Sequence, residues 1–258
     1  MKIAVFWLCL FGAISLFGQR FPRGLPEEPD TLYKDIAQKA TLTDEIYRDV
    51  RPRYSLKQFT PYPGNQAHGT CAAFATAYAA RTILEAQKHQ WTDQGMITNN
   101  VFSPGFIYRI SNTDNTTCWG AYTSELLNNM VRYGVPKNSE FPTECPGGYP
   151  QRSTFDKAAA YKIRGFVRLF GESDAAKTKV TTVKKSLSEG NPVVISMICP
   201  NSFDDAAGVW NPTEDPGDPI YGRRHGRHAL CVVGYDDEKY GGAFEILNSW
   251  GKSWGNNG

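Results

Sequence analysis

The texture of the chain changes near residue 160, and that change limits the folds open to it. Upstream, apolar residues recur at helical spacing. Downstream, they alternate or form short β-branched runs bounded by glycine, proline and aspartate. From Ala72 to about Lys88, Phe74, Tyr78, Ile83 and Leu84 line one face of an alanine-rich helix. "FSPGFIYRIS" from Phe102 reads as a short helix starting near a proline. "TSELLNNMVRYG" reads as an amphipathic helix, with Thr123 or Ser124 as cap and Gly134 as stop. Further on, "KIRGFVRLF" alternates and is rich in β-formers, and "VTTVKKSLSEG" is a helix closed by Gly190. "NPVVISMIC", "HALCVVGYDD" and "AFEILNSWG" read as strands. A helical half followed by a strand half predicts an α+β fold of two lobes, and ligand sites favour the cleft between such lobes.

The 258 residues suit one domain or two small lobes, and 13% aromatic content is enough to fill a core. A net charge of +2, with no dense Lys/Arg stripe, points away from a nucleic-acid partner. The start, "MKIAVFWLCLFGAISLFGQR", has a positive residue, an apolar run from Ile3 to Phe17 and the small Gly18. Residues 1–18 are therefore read as a secretory signal peptide, since the run is short of the ~20 residues a membrane span needs. The mature protein is expected in a periplasm or outside the cell, with no membrane anchor after cleavage and as a monomer. Residues 19–58, with a helical patch between about Thr31 and Asp49, are expected to be an N-terminal arm or a short pro-segment. Of six cysteines, Cys9 lies in the signal; Cys71, Cys118, Cys145, Cys199 and Cys231 remain, and an odd number leaves a thiol to be explained.

Cys71 opens the alanine-rich helix after the polar loop "GNQAHGT". A thiol becomes a strong nucleophile as a thiolate, and a helix N-terminus and a nearby imidazolium both lower its pKa from about 8.5. The chain has four histidines. His89 lies at the far end of the same helix, and His68 sits in a loop with no rigid element to aim it. His228 begins the strand "ALCVVGYDD" and can be held by a sheet. Asn248, at the end of another strand, can accept a proton from one ring nitrogen and leave the other facing the thiol.

"GTCAAFA", "HALCVVGYDD" and "NSWGKSWGNNG", in that order, resemble the papain-like cysteine peptidases. Weaker likeness in "SPGFIY", "TCWGAY" and "NPVVISM" extends the resemblance over roughly 59–258, a divergent exported member of bacterial type. It implies a helical lobe whose central helix starts at the nucleophile and an antiparallel, β-barrel-like second lobe. It also implies hydrolysis of a peptide or protein substrate through a thioester, with no cofactor. Cys71 would be nucleophile, His228 acid and base, Asn248 its orienting partner, and Trp250 the indole shielding their bond. The competing functions are a non-catalytic peptide binder and an amide transferase or deamidase using the same triad.

An upstream side-chain amide should complete the oxyanion hole. Ungapped counting reaches Asn65, whereas one deletion gives Gln66, the preferred residue. Ala72 replaces the family's tryptophan, and His68 replaces a cysteine whose disulfide anchors this loop. Cys118 then lacks its usual partner, and Cys145 is the remaining choice for a structural bridge. Gly120, Ala121 and Tyr122 match the stretch that pairs with substrate backbone. Ser196 and Ala229 match the pocket for the side chain two residues before the cut; both are small, so a bulky apolar group is expected there. Cys199 and Cys231 are expected to be buried small residues. The HGRH spacing at His225 and His228 lacks a zinc ligand pattern, so no metal is expected. The family's last strand, which follows "SWGNNG" in relatives, is expected to be missing.

Overall fold

The computed structural model describes residues 21–40, 50–112, 117–145, 147–215, 218 and 225–258. The signal-like segment 1–18 with Cys9, and the end of the N-terminal helical patch, lie outside the described residues.

The helical lobe is organised around α2, the second helix in chain order. It runs as α-helix over Cys71–Ala73, π-helix over Phe74–Arg81 and α-helix again over Thr82–His89. Ala72, Ala73, Ala75, Ala77 and Ala79 are all buried. Their small side chains let α4 (Pro104–Ser111) and α5 (Thr123–Arg132) pack close, with Phe102, Phe106, Ile107, Leu126 and Met130 filling the shared core. Ser103 caps α4 by accepting the Phe106 N–H at 2.9 Å, and Pro104 takes the first helical position. The start of α5 differs from expectation. Tyr122 stands at the cap without a side-chain bond, and neither Thr123 nor Ser124 takes the role. The Ser124 N–H is instead satisfied by the Glu28 carboxylate at 3.0 Å, an acidic group where a helix N-terminus favours one.

The strand lobe is a four-stranded antiparallel sheet centred on β3 (Gly226–Asp236), which pairs with β1 (Arg53–Ser55), β2 (Val193–Cys199) and β4 (Ala243–Leu247). β1, β2 and β4 each pair with β3 and with no other named strand, so the sheet stays open and "barrel-like" overstates it. β3 is buried from His228 to Tyr235, which explains its unbroken apolar run. Helix α7 (Ala176–Ser188) closes one side, with Val183 and Leu187 in a cluster with Val193, Cys231, Val232, Val233 and Tyr235. "KIRGFVRLF" does not enter the sheet; Arg168 makes one parallel bridge to Gln38, and Val167 is exposed. Its alternation reflects a surface-hugging segment that meets no named strand among the described residues. In the N-terminal arm the helix α1 spans only Asp30–Asp35, and the chain is extended from Ile36. The Tyr33 hydroxyl donates to the Phe170 carbonyl at 2.7 Å and pins the arm to the strand lobe.

Candidate active site

His228 lies on β3, opposite Met197 of β2, and is fully buried. Its Nε2 is 2.8 Å from Asn248 Oδ1. That oxygen also accepts the Ser249 N–H at 2.8 Å, so it acts as an acceptor and Nε2 carries the proton. Nδ1 is therefore the basic nitrogen, and it is buried without a hydrogen-bond partner among the described residues. Asn248 follows β4 directly and its N–H donates to the Gly258 carbonyl at 3.0 Å. Trp250 stacks on the His228 ring at 4.6 Å and is itself 2% exposed, so the His–Asn bond is shielded from water.

Cys71 is the first residue of α2 and is completely buried, in one cluster with Ala229, the neighbour of His228. Gln66 is also buried. Its Nε2 donates to the carbonyls of Pro22 at 3.0 Å and His68 at 2.8 Å, and its Oε1 accepts from Ser249 Oγ at 2.5 Å. Asn65 is exposed, and its side chain packs beside Gly251 rather than into the cleft. A substitute holds the loop that lacks a disulfide. Glu144 accepts the N–H groups of Ala67 at 3.0 Å and His68 at 3.3 Å and the Thr70 hydroxyl. Glu144 adjoins Cys145, which is bonded to Cys118 as expected. The Gly69 N–H donates to the Cys118 carbonyl at 3.1 Å, so carboxylate and disulfide together fix both sides of the loop.

The cleft is filled by the chain's own residues 21–28, "FPRGLPEE". Phe21 stacks on Trp250 at 4.6 Å, and the Pro22 carbonyl also accepts the Trp250 indole N–H at 3.3 Å. Gly24 lies against the nucleophile loop, where a Cβ on it would fall 2.5 Å from Gly69 Cα. A Cβ on Gly120, whose φ is +69°, would fall 1.7 Å from the Gly24 carbonyl oxygen, so only glycine fits at either position. Leu25 is buried in the cluster that holds Cys71, Ala121 and Ala229. Glu27 pairs with Arg227 and Glu28 caps α5.

This packing sets desolvation against the lowering that the helix N-terminus supplies. Burial pushes the Cys71 thiol up, outweighing the N–H groups of Ala229 and Gly24 that act to lower it. Burial also brings His228 down to about 4 against the opposing effect of its bond to Asn248, with the Arg23 guanidinium adding to the drop. With the cleft filled, thiol and imidazole are both neutral at pH 7. The helix N-terminus does not yield a thiolate because the desolvation it would have to offset is larger.

Among the substrate-matching positions, Gly120, Ala121 and Ala229 contact or cluster with residues 24–26. Tyr122 precedes α5, and Ser196 pairs in register with Ala229 but is exposed. Cys199 and Cys231 are buried free thiols, as expected. Among the described residues no group of histidine, cysteine and acidic side chains is arranged for a metal. No helix among them is long and apolar enough to cross a membrane. Sequence reasoning missed Glu144, for which adjacency to the bridging Cys145 was the available signal, and it read residues 21–28 as part of an arm or short pro-segment without placing them in the cleft.

The geometry agrees with comparison to known proteins. The model of the papain family cysteine protease matches residues 48–258. The chain is 25% identical over 233 residues to an uncharacterized peptidase C1-like protein of Acanthamoeba polyphaga mimivirus, covering 85% of this chain and 69% of that one. It is 25% identical over 248 residues to cathepsin K of Gallus gallus, covering 95% of this chain and 65% of that protein. Among solved structures, xylellain, a cysteine protease from Xylella fastidiosa, superposes with a TM-score of 0.70 at 21% identity, over 93% of this chain and 89% of that one. Digestive procathepsin L 3 of Tenebrio molitor gives 0.65 at 15% identity, over 87% and 67%. The chain belongs to the papain family of cysteine proteases.

Proposed function

We propose that the chain hydrolyses peptide bonds through a thioester on Cys71 and that residues 21–28 hold it latent. The observation that carries the reading is the His228 ring, fixed by Asn248 and Trp250 with Nδ1 unpartnered, in the same buried cleft as Cys71. When the cleft opens, Nδ1 takes the thiol proton and the sulfur attacks the substrate carbonyl carbon. The oxyanion is held by the Cys71 N–H and by Gln66 Nε2, whose present acceptor, the Pro22 carbonyl, stands in for the substrate's. Collapse breaks the C–N bond, and the imidazolium gives its proton to the leaving amine. Water then gives a proton to Nδ1 and attacks the thioester, releasing the acid and the sulfur.

The segment blocks the cleft without being a substrate because its polarity is reversed. The family resemblance implies that a pocket-filling residue precedes the attacked carbonyl's residue by one. Here Leu25 fills the apolar cluster, while the carbonyl on Gln66 belongs to Pro22, three residues before it. Export fits this reading, since the Cys118–Cys145 bridge persists in an oxidising compartment.

An epoxide-type thiol inactivator tests the proposal. With the cleft opened by Leu25→Ala, it should alkylate Cys71 selectively and abolish peptide hydrolysis in step, and adding Gln66→Ala should lower kcat by ~10²–10³. Labelling spread over Cys199 and Cys231, or hydrolysis that survives full labelling of Cys71, would refute it.

A further inference from the structure

The Arg23 side chain enters a polar pocket beside Trp250, in a different cluster from the one that holds Leu25 and Cys71. The Arg23 side chain is 1% exposed and its guanidinium pairs with Asp204, whose side chain is 8% exposed. Nη1 also donates to the Cys199 carbonyl at 2.8 Å and to Asn201 Oδ1 at 3.4 Å, and Nη2 to the Pro200 carbonyl at 3.5 Å. The guanidinium carbon lies 5.6 Å from the centre of the Trp250 ring. One carboxylate, two carbonyls, an amide oxygen and an aromatic face thus converge on one planar cation, and each polar wall offers an acceptor. These walls come from the end of β2 and the turn after it, Asn201–Asp205, not from the segment that fills them. The pocket therefore belongs to the folded lobe and remains when residues 21–28 leave.

We infer that this pocket selects an arginine side chain of the substrate, on the leaving-group side of the cut. The inference rests on the peptidase reading above. The placement follows from the neighbours. Gly24 lies at Cys71; its neighbour Leu25 sits in the apolar cluster with Cys71, and its other neighbour Arg23 sits beside Trp250 in a separate cluster. Trp250 stacks on His228, the group that hands a proton to the leaving amine, so the side chain in the Arg23 position is carried by the leaving fragment. Lysine is the weaker ligand, because a single ammonium cannot reach all these acceptors in the planar arrangement the guanidinium uses. The resulting preference joins a bulky apolar residue before the cut to an arginine directly after it.

The test uses the full chain carrying Arg23→Ala together with Leu25→Ala, which vacates the pocket and loosens the segment's hold on the cleft. Peptides with a leucine two residues before the cut, and arginine, lysine, citrulline or alanine directly after it, are compared by kcat/KM. Citrulline keeps the shape and removes the charge. Arginine should exceed citrulline by about 30-fold or more, the scale of a buried charge pair, and adding Asp204→Asn should collapse that ratio. Binding of the synthetic octapeptide FPRGLPEE and its citrulline form to the same doubly substituted chain is measured by calorimetry in parallel. This second measurement needs neither turnover nor the Asp204 variant. If no peptide is hydrolysed although a small haloacetamide shows Cys71 to be uncovered, the peptidase reading fails, yet a preference for arginine in binding still supports the pocket. Equal binding of the two octapeptides overturns the pocket. Preference in binding with none in turnover overturns the substrate role and leaves the pocket as a latch for the chain's own segment.

Discussion

Truncating Leu25 should open the cleft without touching the catalytic groups. Leu25 is 7% exposed and sits among Cys71, Ala121 and Ala229. Fully burying a leucine is worth about 1.5–3 kcal/mol. Leu25→Ala gives up most of that in the closed state and little in the open one, where the residue is wet in either chain. At 1.4 kcal/mol per factor of ten, the open fraction should rise roughly 10–30-fold. Because the segment is covalently attached, the gain does not depend on protein concentration. Alkylation of Cys71 by a small haloacetamide at pH 7 reads it directly, since attack requires an uncovered sulfur and its rate follows the open fraction. Mass spectrometry supplies the control: local opening labels Cys71 alone, whereas unfolding also labels the buried free thiols Cys199 and Cys231. An alkylation rate within twofold of the parent chain would refute the view that Leu25 packing holds the cleft shut.

Acidification should open the same cleft. Burial holds His228 down to about 4, while a wetted imidazole returns to about 6.5. The open state therefore binds a proton that the closed state refuses. Closure is fully favoured above about pH 6.5 and is lost progressively as pH falls toward 4, by at most about 3 kcal/mol. Intrinsic fluorescence of Trp250 as Phe21 leaves its face, followed from pH 7 to 4 beside the alkylation rate, checks the sign; a cleft that tightens on acidification contradicts it. Replacing Glu144 by glutamine removes an acceptor from the N–H groups of Ala67 and His68 and puts a donor in its place. The loop carrying Gln66 should loosen, lowering kcat about tenfold with little change in KM and with partial rescue by Glu144→Asp, each lost bond to the charge being worth about 1.5–3 kcal/mol. An unaltered kcat would relegate Glu144 to a surface role.

Much of the fold and site was legible because their signals are local. The helix of α2 follows from alanine spacing, and β2, β3 and β4 follow from β-branched runs between turn residues. The partnership of His228 with Asn248 could be anticipated because each stands at the edge of such a strand, and Cys118–Cys145 because the other partner of Cys118 was missing. Failures came where the pattern was right but the partner was absent. "KIRGFVRLF" alternates, yet among the described residues it makes only the isolated bridge of Arg168 to Gln38, and Thr123 and Ser124 look like caps, yet Glu28 arrives from a distant segment to do the work.

The sequence alone determined the α+β layout and the helix that Cys71 opens, since periodicity carries those, and its resemblance to a family pointed to Cys71, His228 and Asn248 as a set. Only the tertiary structure buries Gln66 and leaves Asn65 exposed, because a loop's reach into a cleft depends on which side chain the packed neighbours bury. Only it gave Glu144 as the clasp in place of a disulfide, and set "FPRGLPEE" across Cys71 with Arg23 in its acidic pocket. That short run has no periodicity of its own. Its conformation is imposed by glycine-to-glycine contact, an ion pair and ring stacking with residues up to the far end of the chain, and such long-range desolvation also sets the neutral state of Cys71 and His228.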